Sequence, residues 1–553
     1  MVRRPHRWAA VAAVTTLALA AAACGRSAPS TGGGGGGSSA GNVSPTKGLV
    51  TTSPAGTKPV SSITWAVYRD VNSLDPIYAF DYPENTAVSL MCESLLRQAP
   101  DGSLQPGLAT LANPNPTTFV FTIKPGAKFW DGHPVTPADV VYGLKRGMDT
   151  KLGGFYGQVF TRVSSITATG SDQVTIKLKQ PDYWLEGELA SIPGIVTEKS
   201  VVQQQGKNYG TPAGKIMCTG AYMFKSWNPG VGVVAVANPH YWNSSAKPLV
   251  QQITIKGAPD VSAFTSAMLT NGIQGSYNFA LPTLDQLKGS SSVKVYQGPG
   301  WSTDAFIISS FKGALGDVRV RRALSMALNR QGIINSVYRG AALMPRWLSN
   351  PGTFGYGTSV FAAAYDSSPL LSQNIAAAKK LVQQAGVAGQ TITIGTSSQL
   401  ANIAAVTGAY QAAGQAIGLK VALKSVSAQN FINFFTDPKA RAGIDGFPTV
   451  NYGDYADPAA LLSTVVLPDG SQNYTGFNDP KITSALDQAR GTADPGKRAA
   501  LVAQAEKLTV QQMPWIPNAQ PTSLLLLNKS LTGAVSSFAY MFAPWANQLG
   551  GTG

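Results

Sequence analysis

A chain of 553 residues with 43 Lys+Arg against 28 Asp+Glu, a formal net charge of +15, is too long for one small core and predicts two or three compact lobes. Average hydrophobicity and aromatics at 9 % mark a globular protein, and the charged fraction is low at 13 %. The basic excess forms no dense Lys/Arg block in the folded part, which argues against nucleic acid as a partner.

The first residues, MVRRPHRW, form a positive n-region, and the apolar run after them ends in Ala21-Ala22-Ala23-Cys24. This predicts a signal peptide over 1–23, too short in its apolar part for a permanent membrane span. Ala-Ala-Ala-Cys resembles a lipobox with Cys24 as the lipidated residue, although ordinary signal peptidase would accept the same residues. From Cys24 to Ser62 the chain is rich in Gly, Ser, Thr and Pro, including six glycines at 32–37, and reads as a tether over 24–62. Cys92 and Cys218 are then the remaining cysteines, and an even pair in an exported chain predicts a disulfide, with two buried thiols as the alternative.

From Ile63 onward short strand patterns alternate with helical ones, the texture of an α/β protein. Phe119 to Gly126 and Gln173 to Pro181 alternate as strands and end in turn residues. In Thr136 to Met148, Thr136 is a fitting N-cap, Pro137 a first helical residue and Asp139 an acid at the positive helix end. Asp317 to Tyr338 places Val320, Leu324, Ala327, Leu328, Ile334 and Val337 on one stripe, predicting a packed helix with Arg319, Arg322 and Arg330 on a solvated face and a possible division at Gly332. No fixed-period repeat is present.

Reaction chemistry finds little footing. His6 lies in the leader, and His133 and His240 sit in turn-like WDGHPVT and NPHYW, so structural or surface roles are expected and no metal or cofactor is implied. HExxH, GxSxG, CxxC, Walker A and Rossmann fingerprints are lacking. SxxK occurs at Ser44, Ser244 and Ser309 without a KTG partner, leaving a secreted serine acyl-transferase as a remote alternative.

A series of segments in order carries a resemblance: SLDPIYAF (73–80), CESLLRQAPDGSLQPGLAT (92–110), FTIKPGAKFWDGHPVTPADVVYGLKR (121–146), CTGAYMFKSW (218–227), NPHYW (238–242), DVRVRRALSMALNR (317–330), GDYADP (453–458) and YTGFNDPKITSALDQA (474–489). Together they resemble the extracytoplasmic family 5 receptors of ABC importers, which take oligopeptides and dipeptides. The resemblance implies a bilobal α/β fold of the periplasmic-binding-protein type II (cluster C) kind. Lobe I would span 63–93, 210–301 and 523–553, an inserted domain 94–209, and lobe II 302–522, with Cys92 and Cys218 both in lobe I.

It further implies a binding receptor, not an enzyme, that encloses a peptide between its lobes and delivers it to permease and ATPase subunits. Such a receptor would be a monomer held through Cys24 to the outer face of the cytoplasmic membrane. Asp454 matches the family carboxylate that pairs with a peptide α-ammonium, against the plainer role of a loop cap. Asp81, Tyr82, Tyr277, Asn278 and Trp301 are further ligand-contact candidates, each competing with a core role. Asn451-Tyr452 stands where relatives carry Trp-Cys, and Ser302 replaces the cysteine that would pair there. Pro448 replaces an arginine suited to a peptide carboxylate, for which Arg346, Lys439 and Arg441 are substitutes. An oligosaccharide, a nickel chelate or haem are alternative cargoes, because fold alone does not choose among them.

Overall fold

Strands buried on both faces sit at the centre of a sheet, and two of them organise the molecule. Ser523–Asn528, SLLLLN, is buried throughout. It lies in a seven-stranded sheet of order Val293–Gly298, Ser523–Asn528, Gly275–Tyr277, Ile63–Val67, Gln252–Gly257, Gly232–Ala237, Tyr222–Asn228. Ile63–Val67 runs parallel to both of its neighbours, and the other pairs are antiparallel. Trp65 at its centre packs its ring on Trp545 and Tyr277. Ser302–Ile308, also wholly buried, is central to a six-stranded sheet of order Ala342–Leu343, Trp515–Pro521, Ser302–Ile308, Gly446–Tyr452, Thr391–Thr396, Lys420–Ser425. The computed structural model describes residues 48–553 apart from 245, 247, 279, 280, 399 and 400. The leader, Cys24 and the tether up to residue 47 lie outside the described residues.

A third, four-stranded antiparallel sheet is built from Ala109–Asn115, Thr118–Ile123, Gln173–Leu178 and Val163–Ala168. The helix Pro137–Met148 begins where the sequence places it: Thr136 and Asp139 form a reciprocal capping box, with Pro137 in the first turn. Strand Thr118–Ile123 alternates half-buried and buried residues, as its pattern predicts.

Three expectations are corrected. The segment from Asp317 forms two helices, Val318–Ala327 and Arg330–Ser336, divided at Leu328-Asn329 and not at Gly332. Asn329 caps the second helix by accepting from Gly332 N at 2.8 Å, and a cap outside the apolar stripe escapes a periodicity argument. Arg330 is therefore not on a solvated face. It is 2 % exposed and donates to the carbonyls of Ser325, Leu371 and Pro517. Residues 50–60, placed in the tether by composition, are docked instead: Val50 N donates to Gln297 O, Ser53 N to Ala534 O, Thr57 N to Gly551 O and Val60 N to Leu249 O, at 2.9 to 3.0 Å. Main-chain pairing of this kind asks for no apolar side chains.

Between the two large sheets the chain passes twice, through 299–301 and through Thr522. The two passages touch. A Cβ on Gly300 would lie 2.0 Å from Pro521 O, so only glycine allows this approach. Asn350, 2 % exposed, donates its amide to Ser302 O at 2.8 Å and Pro521 O at 2.9 Å, tying together the two strand ends at which the passages meet the six-stranded sheet.

Cys92, at the end of helix Tyr82–Met91, is joined to Cys218 by a disulfide with a Cα–Cα distance of 5.0 Å. Closing a loop of 126 residues stabilises the fold by about 4–5 kcal/mol on the chain-entropy model. The Cys92→Ser/Cys218→Ser double variant should lose a comparable amount in denaturant unfolding, and an unchanged midpoint would contradict this. Asn350→Ala leaves two buried carbonyls without their donor and should cost about 2–4 kcal/mol, read as a lowered thermal midpoint.

Candidate functional site

A cavity of about 1040 Å³ lies between the two large sheets. Its walls come from Tyr277 and Leu524 of the seven-stranded sheet, Ser302 and Asn451 of the six-stranded sheet, and Phe155 and Glu188 from the segment that carries the four-stranded sheet. The volume is at the upper end of small-molecule sites, and the lining is mainly apolar and aromatic.

Seven of the eight sequence-nominated contact residues reach this cavity: Asp81, Tyr82, Tyr277, Asn278, Asn451, Tyr452 and Asp454. Trp301 does not. It is 2 % exposed, and its ring packs on Phe538 and Phe542 as part of the core. Ser302 and Tyr452, singled out as the place of a missing bridge, are cross-strand partners.

Most of the seven have their polar groups engaged within the protein. Asp81 caps helix Tyr82–Met91 through Tyr82 N at 2.8 Å, accepts from Arg69 Nη2 at 2.6 Å and also bonds the Tyr68 hydroxyl. Tyr82 packs edge-on against Tyr452. The Tyr452 hydroxyl donates to Phe80 O at 2.8 Å, joining the two sides of the cavity. Tyr277 stacks on Tyr540 and donates to Val535 O. Asn278 exchanges bonds with Leu524 N and the Tyr540 hydroxyl, and Asn451 with Tyr452 N and Gln472.

Asp454 differs. Its loop is fixed by Gln98, a fully buried amide that donates to Asp454 O at 2.9 Å and accepts from Ala456 N at 3.0 Å. The cap of the following helix, Pro458–Val466, falls to Asp457, which accepts from Ala459 N. The Asp454 carboxylate therefore does no capping, and it meets no donor and no cation among the described residues. Burial pushes it up from 3.8 to about 7.

Sequence reasoning missed three parts of this site. Gln98 carries no motif, since an amide that orders a distant loop leaves no local pattern. Glu188 is raised well above the ordinary carboxylate range, first by burial and then by the charge of Asp454. Arg69 and Arg490 line the cavity but are spent: Arg69 binds Asp81 and Glu84, and Arg490 grips Asp182 through Nε at 2.8 Å and Nη2 at 2.6 Å. Arg346, Lys439 and Arg441 are not among the lining residues. Arg346 and Arg441 donate instead to the carbonyls of Ser368 and Phe434. Outside the cavity, Asp131, His133 and Glu198 form the one cluster of three potential metal ligands among the described residues. There His133 Nδ1 lies 3.0 Å from Asp131 and 3.2 Å from Glu198, an arrangement already satisfied as an ion-pair network.

A family model described as bacterial extracellular solute-binding proteins, family 5 Middle, matches residues 103–473. The chain is 28 % identical over 487 residues to the periplasmic murein peptide-binding protein MppA of Escherichia coli (strain K12), covering 83 % of this chain and 88 % of that relative. Among solved structures, the ABC transporter-associated periplasmic binding protein DppA from Helicobacter pylori, in complex with peptide STSA, is similar with a TM-score of 0.77 at 20 % identity, covering 90 % of this chain and 99 % of that one. NikA from Staphylococcus aureus, in complex with Ni(L-His)2, is similar at 0.72 and 19 %, covering 87 % and 98 %.

The raised value at Asp454 fixes the sign of a pH effect. A carboxyl whose folded value exceeds its unfolded one favours the fold fully below the unfolded value, and that stability is lost as pH rises from about 4 through about 7. Asp454→Asn should therefore raise the thermal midpoint of the ligand-free protein at pH 8 and change it little near pH 4. A gain confined to acid would contradict the assignment.

Proposed function

The chain belongs to the bacterial extracellular solute-binding proteins of family 5, and from that premise we propose that its cavity receives a peptide, holds the peptide's α-ammonium at Asp454, and releases the solute unaltered to the permease of an ABC importer. The fold is the type II periplasmic-binding α/β fold of its structural neighbours. In this reading 63–93, 210–301 and 523–553 make one lobe, 302–522 the other, and 94–209 an inserted domain, and the two lobes move about the passages at 299–301 and Thr522. Secretion under the leader, lipidation at Cys24, placement on the outer face of the cytoplasmic membrane and action as a monomer beside permease and ATPase subunits complete the proposal.

One observation carries it: a carboxylate in the cavity wall with no internal partner. A desolvated ammonium needs an opposite charge and hydrogen-bond acceptors, and a desolvated carboxylate needs the reverse, so each removes the other's penalty. Aromatic walls and a large volume suit variable side chains, while extended peptide backbone can bond as an added strand. Similarity to a murein peptide-binding protein and to a receptor solved with peptide STSA points the same way.

Calorimetry with tri- to pentapeptides should give saturable binding that N-acetylation abolishes. Asp454→Ala should weaken it by at least about 30-fold, roughly 2 kcal/mol. Equal affinity for acetylated and free peptides, or an unaffected variant, would remove the ammonium from the mechanism.

A further inference from the structure

The charge of the cavity opposes the charge of the protein. Against a whole-chain balance of +15, the charged side chains among the described lining residues are five acids, Asp81, Glu84, Glu188, Asp454 and Asp469, and two arginines. Lysine and histidine do not occur among them. Arg69 is neutralised by Asp81 and Glu84 together, and Arg490 by Asp182 behind the wall. Glu188, Asp454 and Asp469 are left without an ion pair, and of these Asp469 is exposed and stays hydrated.

Glu188 is held against the Asp454 loop by close backbone approach. A Cβ on Gly187 would lie 2.3 Å from the ring of Tyr455, so the absence of a side chain at 187 lets the turn bearing Glu188 rest on the residue next to Asp454. Glu188 Oε2 is buried and has no hydrogen-bond partner. Burying such a group unpaired is costly, and one ammonium at Asp454 neutralises one of the two carboxylates.

We propose that the cavity selects a solute with two cationic groups, one met by Asp454 and the other by Glu188, and offers a ligand carboxylate no ionic partner. Resting on the peptide reading above, the solute is a peptide with a basic side chain close to its amino terminus and a carboxyl end that contributes little. The two spent arginines and the absence of Arg346, Lys439 and Arg441 from the wall exclude a salt bridge at that end in this arrangement.

The test is calorimetry with Lys-Ala-Ala, norleucine-Ala-Ala and the carboxamide of each, on the wild-type protein and Glu188→Gln. The wild type should prefer lysine over norleucine by at least about tenfold. In Glu188→Gln that ratio, taken on one protein sample and so independent of its folded fraction, should fall towards one. Carboxamides should bind at least as well as free acids. Binding without a lysine preference, a preference that survives Glu188→Gln, or free acids tighter by about tenfold would each overturn the inference and leave the peptide reading standing. If no peptide binds, the peptide reading fails, and 1,5-diaminopentane becomes the probe: binding that Glu188→Gln removes upholds the paired-cation site, and absence of binding overturns it as well.

Discussion

Everything that shapes the cavity depends on how the chain passes between its two large sheets. Two extended segments make the passage, and they run so close at Gly300 and Pro521 that no side chain fits between them. One buried amide, Asn350, satisfies a carbonyl at the strand end next to each, Ser302 and Pro521. Walls contributed by strands far apart in sequence therefore share a single fixed reference, and the distance between opposing side chains is set by that junction together with the polar contacts across the cavity. Among the latter, the Tyr452 hydroxyl on Phe80 O and the Gln98 amide on the Asp454 loop bind main chain, which holds position whatever side chains occupy the wall.

Inside this frame the protein separates two classes of polar group. Asp81, Asn278 and Asn451 face the cavity yet spend their capacity on caps and cross-links that hold its shape. Asp454 and Glu188 do the opposite: half-buried in the cavity wall, their carboxylates make no hydrogen bond or ion pair with the described residues, so the ligand-free state carries an electrostatic penalty that a cation relieves. Selectivity of this type follows from what is withheld from the wall as much as from what is placed there.

The sequence makes the local features legible and the long-range ones opaque. Thr136, Pro137 and Asp139 announce their helix because a capping box is a contact between near neighbours. The strands at 118–123 and 173–178 show in their alternation for the same reason. GDYADP leads to Asp454 only through resemblance to relatives, since nothing in six residues says that the carboxylate faces a cavity. Trp301 is large and apolar beside a passage between sheets, and chemistry alone does not say whether such a ring faces inward or outward. Arg330 shows the converse: its charge suggests water, yet carbonyls from three separate segments enclose it. Glu188 becomes meaningful only when folding brings it near Asp454, a carboxylate far along the chain, a juxtaposition with no spacing rule.

The disulfide acts as a covalent neck. Cys92 and Cys218 stand at the two ends of the stretch that contains the whole four-stranded sheet, so that stretch is a ring tied off at its base. Should its strands fray, the unravelling cannot tug apart the helix before Cys92 or the strand that begins at Tyr222, because slack released within the ring stops at the knot.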